Sequence, residues 1–228
     1  YNLCPHMRFY GTPPVDGALC EYVTIGAAFA HPVPAEMTDN AAALCEPLSV
    51  AIATVDKAAG AGGARVLIAG AGPNGHDRGA DDELLVVTDL DPHRRRLAHR
   101  FGATTTLDPQ TDDVTGLRVD AFIDASGAPA AVMSGLAAVR PAGRAVLVGM
   151  GAETMELPVQ TIQNRELILT GVFRYANTWP AAIALIRTGR VDVDALITGR
   201  YPLEKTAEAL ESDRIPGNIK SVVEVGTS

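Results

Sequence analysis

Short, uninterrupted apolar runs separated by polar, helix-like stretches set the pattern of this chain from its middle onward. Val66-Leu67-Ile68-Ala69 and Leu84-Leu85-Val86-Val87 are too short for helices and show no polar alternation. They therefore predict strands buried on both faces. The same reading marks strands at 119–124, 144–148, 167–173 and 219–225, with helices at 92–101, 129–139 and 180–187 between them. Pro92 near the first turn and Gly102 just past the end bound the helix 92–101. Strands alternating with helices predict a parallel sheet covered on both faces, an α/β doubly wound architecture. Ahead of this region, residues 19–25 read as a strand with Cys20 in its core. Pro32-Val33-Pro34 reads as an extended linker, Asp39 as the cap of a helix starting at Asn40, and 48–59 as a second helix leading into a glycine turn at 60–63.

The first apolar run feeds a G-x-G-x-x-G turn, Gly70-Ala71-Gly72-Pro73-Asn74-Gly75. In such a turn Gly70 permits the tight bend, Gly72 lets the backbone approach a pyrophosphate, and Gly75 lets the next helix pack close. The second run ends in Asp89, 19 positions after Gly70, where a carboxylate accepts hydrogen bonds from an adenosine ribose. Strand, glycine turn, second strand and terminal Asp together predict a dinucleotide site. Its candidate residues are Gly70, Gly72, Pro73, Asn74, Gly75 and Asp89, with Ser126 and Gly127 at the end of the strand 119–124. Arg94 is expected near the adenosine, and the rest of the run Arg94-Arg95-Arg96 reads as a solvated helix face.

One stretch conflicts with that pattern. Only eight residues, 76–83, separate Gly75 from the second strand, whereas a βαβ crossover takes at least about 10–12 residues. Asp77, Gly79, Asp81 and Asp82 favour turns, and no apolar stripe is present. A loop or a single helical turn is expected there, which would stunt the helix whose N-terminus normally meets the pyrophosphate.

The composition adds exclusions rather than a function. The chain has 228 residues, 47% of them hydrophobic and 20% charged, ordinary for a globular protein. A net charge of −8 argues against a nucleic-acid surface. No stretch approaches the length of a membrane span, and no signal peptide is expected. Three cysteines without C-x-x-C spacing predict no disulfide framework and a cytoplasmic location.

Several stretches carry a family likeness: Tyr1-Asn2-Leu3-Cys4-Pro5, Thr12-Pro13-Pro14-Val15-Asp16-Gly17-Ala18, Glu46-Pro47-Leu48-Ser49-Val50, the glycine turn, Val87-Thr88-Asp89-Leu90, and Gly171-Val172-Phe173-Arg174-Tyr175-Ala176-Asn177-Thr178. On these the chain resembles the zinc-dependent medium-chain dehydrogenases, in their sorbitol (polyol) dehydrogenase branch, over nearly its whole length. The resemblance implies a Rossmann-type domain at 48–176, with the remainder of a β-rich GroES-like catalytic domain at 1–47 and a C-terminal segment at 177–228 returning to it. It implies oxidation of a polyol or secondary alcohol with NAD and zinc, by a homodimer or homotetramer. Asp89 then matches the ribose-binding Asp that favours NAD over NADP. Glu46 matches the position completing the catalytic zinc site, Cys4 the last of four structural-zinc cysteines, Arg174 and Tyr175 the substrate and nicotinamide cleft, and Lys220 a base near the pyrophosphate. The other zinc ligands of the family would lie ahead of Tyr1, so an N-terminally incomplete, inactive member is expected.

Simpler readings stand beside these. Cys45 reads as a small buried residue, and Glu46 as an acidic residue in the first turn of a helix. Arg174 reads as a surface residue flanking a strand, and the histidines as surface or capping residues. Three functional classes therefore remain open: a piece of a polyol dehydrogenase, a nucleotide-binding module without catalysis, and an inactive truncated fragment.

Overall fold

A computed structural model describes residues 1–58, 64–72 and 83–226. The glycine turn at 60–63, the fingerprint residues Pro73, Asn74 and Gly75, and nearly all of the short connection after them lie outside the described residues. The chain divides into two compact units, Pro47–Thr178 and Tyr1–Glu46 with Trp179–Ser228.

The unit Pro47–Thr178 is built on six strands: β1 (Arg65–Ala69), β2 (Leu84–Thr88), β3 (Thr105–Leu107), β4 (Val119–Asp124), β5 (Val139–Leu147) and β6 (Ile168–Gly171). They lie side by side in the order β3-β2-β1-β4-β5-β6, every neighbouring pair parallel. The chain thus winds outward from β1 to β3, then crosses back to β4 and winds the other way. Ligands in such sheets bind outside the strand ends where the winding reverses, here between β1 and β4.

Register explains the two apolar faces. Leu67 stands opposite Val86 on β2 and Phe122 on β4, and all three face Val132 and Leu136 of the helix α4 (Pro129–Ala138) in one core. Val66, Ile68, Leu85, Val87 and Ile123 form the opposite core, with Ala98 of α3 (Pro92–Arg100) and Ala58 at the end of α2 (Cys45–Lys57). Both faces are buried, which is why these strands read as unbroken apolar runs. The remaining helix of the unit is α5 (Val159–Asn164).

Local chemistry fixes the element ends. Asp91 caps α3, its side chain accepting from the His93 N–H, and Pro92 sits in the first turn. β5 begins five residues earlier than expected, because Val139 already pairs with Val119 before an irregular stretch leads to Arg144. At the amino ends of β1 and β4, Asp120 accepts from the Arg65 N–H at 2.8 Å and is paired with the Arg140 guanidinium. The Arg65 amide, aided by Arg140 and opposed by partial burial, holds the Asp120 carboxyl below its ordinary value. A depressed folded-state pKa contributes stability above the unfolded value of about 4, lost as the pH falls through the folded value. Asp120→Asn is therefore expected to lower stability at neutral pH by about 1–2 kcal/mol. The difference from the parent should close in acid; denaturant midpoints at pH 7 and pH 3 check it.

The other unit is sparser in regular structure. Its helices are α1 (Asp39–Ala43), α6 (Trp179–Arg187) and α7 (Thr206–Leu210), and β7 (Ile197–Pro202) pairs in parallel with β8 (Lys220–Glu224). The helix expected from Asn40 starts at Asp39, and its cap is Thr38, whose hydroxyl accepts from the Ala41 N–H at 3.0 Å. The strand expected at 19–25 does not form. Leu19, Tyr22, Val23 and Ile25 are about half to nine-tenths exposed, and among the described residues no strand pairs with the segment, so it gains no ladder hydrogen bonds by becoming one. Cys20 is accordingly exposed rather than core.

Candidate nucleotide-binding site

The carboxyl ends of β1, β2 and β4 meet at one place. Gly70 follows β1 with φ +96°, and a Cβ there would lie 3.1 Å from the backbone of Ala125 and Ser126. Its N–H donates to the Thr88 carbonyl at 2.8 Å, tying the turn to β2. Only glycine meets both demands without strain. Gly72, two residues on, has open space where a side chain would stand, as a backbone approached by a ligand requires.

Asp89 ends β2 and organises this rim. One carboxylate oxygen accepts from the Ala71 N–H at 2.8 Å and the other from the Asp91 N–H at 2.8 Å. The carboxylate therefore holds the glycine turn against β2, while further lone pairs remain for a ligand. Arg94 on the first turn of α3 lines the same cavity. The solvated-face reading fails for its neighbour Arg95, which donates to the Asp89 and Leu90 carbonyls and pairs with Asp108 at 3.1 Å. It clamps the end of β2 to the residue after β3.

Beyond β4, the buried Asp124 gathers the loop 125–128 around itself. Its carboxylate accepts from the Ser126 N–H at 3.0 Å, the Ser126 hydroxyl at 2.7 Å and the Gly127 N–H at 3.1 Å. The Ser126 Oγ in turn accepts from the Ala128 N–H at 3.1 Å. A cavity of about 700 Å³ opens along these ends, bringing together Gly70, Gly72, Asp89, Arg94 and Ser126. Sequence reasoning missed Asp124 and Arg95. An Asp two residues before a Ser-Gly turn is the signal for an Asx-turn, and it stands in the chain as Asp124-Ala125-Ser126-Gly127.

The remaining candidates lie elsewhere. Arg174 and Asn177 both hold left-handed backbone, at φ 56° and 61°, a costly arrangement for residues with side chains. The Arg174 guanidinium sits 5.1 Å from the centre of the Phe173 ring, and Tyr175 is buried. Glu46 lies in the first turn of α2 at the close of the other unit. In that unit Lys220 opens β8, opposite Ile197, and Cys4 is exposed. Cys45 is buried with its thiol directed at the Ala41 carbonyl, and burial pushes its pKa up, as for a packing residue rather than a thiolate ligand.

Comparison with known proteins agrees with the fold. The profile of the zinc-binding dehydrogenases matches residues 76–188. Sorbitol dehydrogenase of Gallus gallus is 35% identical over 96% of this chain and 66% of its own length. That of Homo sapiens is 38% identical over 93% and 64%, and that of Mus musculus 36% identical over 98% and 67%. Among solved structures, L-idonate 5-dehydrogenase from Escherichia coli superposes with a TM-score of 0.91 at 30% identity, covering 97% of this chain and 68% of the other. A zinc-binding dehydrogenase from Sinorhizobium meliloti bound to NADP gives 0.90 at 27% identity, covering 97% and 70%. The chain belongs to the zinc-binding medium-chain dehydrogenase family, with sorbitol dehydrogenases among its relatives. It spans 66% and 64% of the length of the Gallus gallus and Homo sapiens relatives.

Proposed function

We propose that the unit Pro47–Thr178 binds a dinucleotide, NAD in preference to NADP, as the cofactor half of a polyol or secondary-alcohol dehydrogenase. The observation that carries this is the meeting of Gly70, at positive φ against the end of β4, with the Asp89 carboxylate on one cavity rim. The residues fit the group: Gly70 and Gly72 leave backbone room for a pyrophosphate, and Asp89 and Arg94 stand where the adenosine ribose would lie. The bound nicotinamide supplies a hydride acceptor. For the chain's own residues we assign holding and orienting roles: Ser126 and Gly127 shape the rim under the tension of Asp124, and Arg174 and Tyr175 line the nicotinamide and substrate side. Titration of the protein with NAD and NADP tests the reading. At least tenfold tighter binding of NAD is expected, because the Asp89 charge repels a 2′-phosphate, and Asp89→Asn should narrow the gap. Equal affinity of the parent for both cofactors would count against it.

Zinc is the second group that family membership brings into question. A catalytic zinc needs three protein ligands and an open position. Among the described residues, no group of three His, Cys, Asp or Glu side chains is placed to hold a metal ion. The donor set present here does not fit such a centre, so no chemical step is assigned to zinc, and Glu46 and Cys4 are at most single donors. A second reading, a nucleotide-binding module without catalysis of its own, is separated from the first by zinc content and turnover. The chain is expected to retain no stoichiometric zinc after dialysis and to give no polyol-dependent NADH. Bound zinc at one equivalent, or turnover above background, would return the catalytic reading to first place.

A further inference from the structure

Among the described residues, eight of the sixteen large apolar side chains that stand exposed belong to the first 33 positions. From Asp16 to Val33 every residue is exposed. Tyr22 is 91% exposed, with Leu19, Val23 and Ile25 about half exposed around it. A little further on, the half-exposed Phe29 meets the Tyr1 ring edge-on at 5.9 Å. Soluble proteins scatter such residues singly, and a run of them marks a contact surface.

The backbone of this stretch is as bare as its side chains. The Tyr10 hydroxyl donates to the Thr24 carbonyl, and the Cys20 thiol to the Tyr22 carbonyl. The N–H and C=O groups of Leu19, Glu21, Val23 and Ile25 make no hydrogen bond to any described residue. Alternate residues of this kind form one side of a strand, and their unpaired groups are a template for a second one. Folded proteins blunt such rows with Lys or Pro. The run Leu19-Cys20-Glu21-Tyr22-Val23-Thr24-Ile25 contains neither, and four of its seven residues are aromatic or β-branched. It bends at Cys20 and Glu21, and a partner strand would draw it straight.

We propose that this stretch is a contact between two copies of the chain, residues 19–25 of each running antiparallel with Tyr22 opposite Tyr22. Charge selects a second copy over a charged partner. From Gly17 to Ala35 the chain has one carboxylate, Glu21, and no Lys or Arg, so a charged partner finds almost nothing to pair with. In this register Leu19 faces Ile25 and Glu21 faces Val23, which supplies partners to all four bare residues. A shift of two positions would set Glu21 against Glu21, a repulsive pair. The exposed parts of Tyr1, Leu19, Tyr22, Val23, Ile25 and Phe29 come to roughly 600 Å² a copy, or about 1,200 Å² a pair, the lower bound for a specific interface. An association of that size is weak and reversible. All of these residues lie outside the unit proposed to bind the nucleotide, so the contact does not rest on that reading.

Sedimentation is expected to show a monomer–dimer equilibrium with a Kd in the tens of micromolar. Val23→Pro removes a ladder N–H that has no partner within one copy. It should weaken the dimer at least tenfold while the NAD affinity stays within twofold. Cross-linking reads the register without relying on a weakened variant. In a Cys4→Ser, Cys20→Ser background, Tyr22→Cys should give a disulfide dimer under the thiol oxidant diamide, since opposed residues lie about 4.5–5.5 Å apart. Val23→Cys should give little, because its two copies would stand diagonally, about 7–8 Å apart. A monomer at every concentration up to the millimolar range would overturn the proposal. So would a dimer indifferent to Val23→Pro, or equal cross-linking at the two positions.

Discussion

Asp124→Ala is expected to cost about 3–5 kcal/mol, enough to bring the protein near the edge of unfolding at 25 °C. The carboxylate is 1% exposed and is the acceptor for two backbone N–H groups and a hydroxyl. Removing it leaves the Ser126 and Gly127 amides without their acceptor, the Gly127 N–H in a buried place. Each such donor costs about 1–3 kcal/mol. Asp124→Asn keeps one acceptor oxygen and should lose roughly half as much. Urea denaturation of the three proteins checks the order. Beyond stability, the loop that Asp124 gathers is one wall of the rim, so the asparagine variant, still folded, should bind NAD several-fold more weakly. An alanine variant as stable as the parent would show that this network is incidental.

Gly70→Val should abolish detectable NAD binding and lower stability by about 1–3 kcal/mol through backbone strain alone. A β-branched residue at φ +96° is an outlier in any protein, and here its Cβ would also meet the Ala125 and Ser126 backbone at 3.1 Å. The turn can relieve this only by moving away from β4, which opens the seam where the pyrophosphate would lie. Gly70→Ala separates the two costs, since it adds the contact with a smaller conformational penalty. It should remain folded and bind at least tenfold more weakly. Parent-like affinity in the alanine variant would show that close approach at Gly70 is not what the site requires.

The parts of the fold legible from the chain alone are those where one physical effect dominates. β1, β2 and β4 declare themselves because burial on both faces removes every polar residue from their centres. β3 is three half-buried residues, two of them threonine, and offers no such run. β7 alternates half-buried and exposed positions and ends in Pro202, so its ordering comes from pairing with β8 rather than from its own sequence. The segment 19–25 shows the converse: apolar residues suffice for a strand-like pattern, but without a partner they remain exposed coil. At the site, Gly70, Gly72, Asp89, Arg94 and Ser126 were accessible because their spacing reflects the turn and strand ends directly. Asp124 and Arg95 were not, since their roles rest on hydrogen-bond acceptors supplied by the folded backbone around them.

The unit Pro47–Thr178 is one unbroken stretch, whereas the other unit is assembled from both ends of the chain. The link between Thr38 and Asp194, 156 positions apart, illustrates the separation. During synthesis the inner stretch has all its partners once Thr178 has left the ribosome, while the outer unit must wait for the last strand, β8. Closing a loop that long is costly for a disordered chain, and domains generally fold as units in order of emergence. Prior folding of the inner stretch takes most of that loop out of the disordered ensemble. The order of translation thus makes completion of the six-stranded sheet the step that precedes, and shortens the search for, assembly of the other unit.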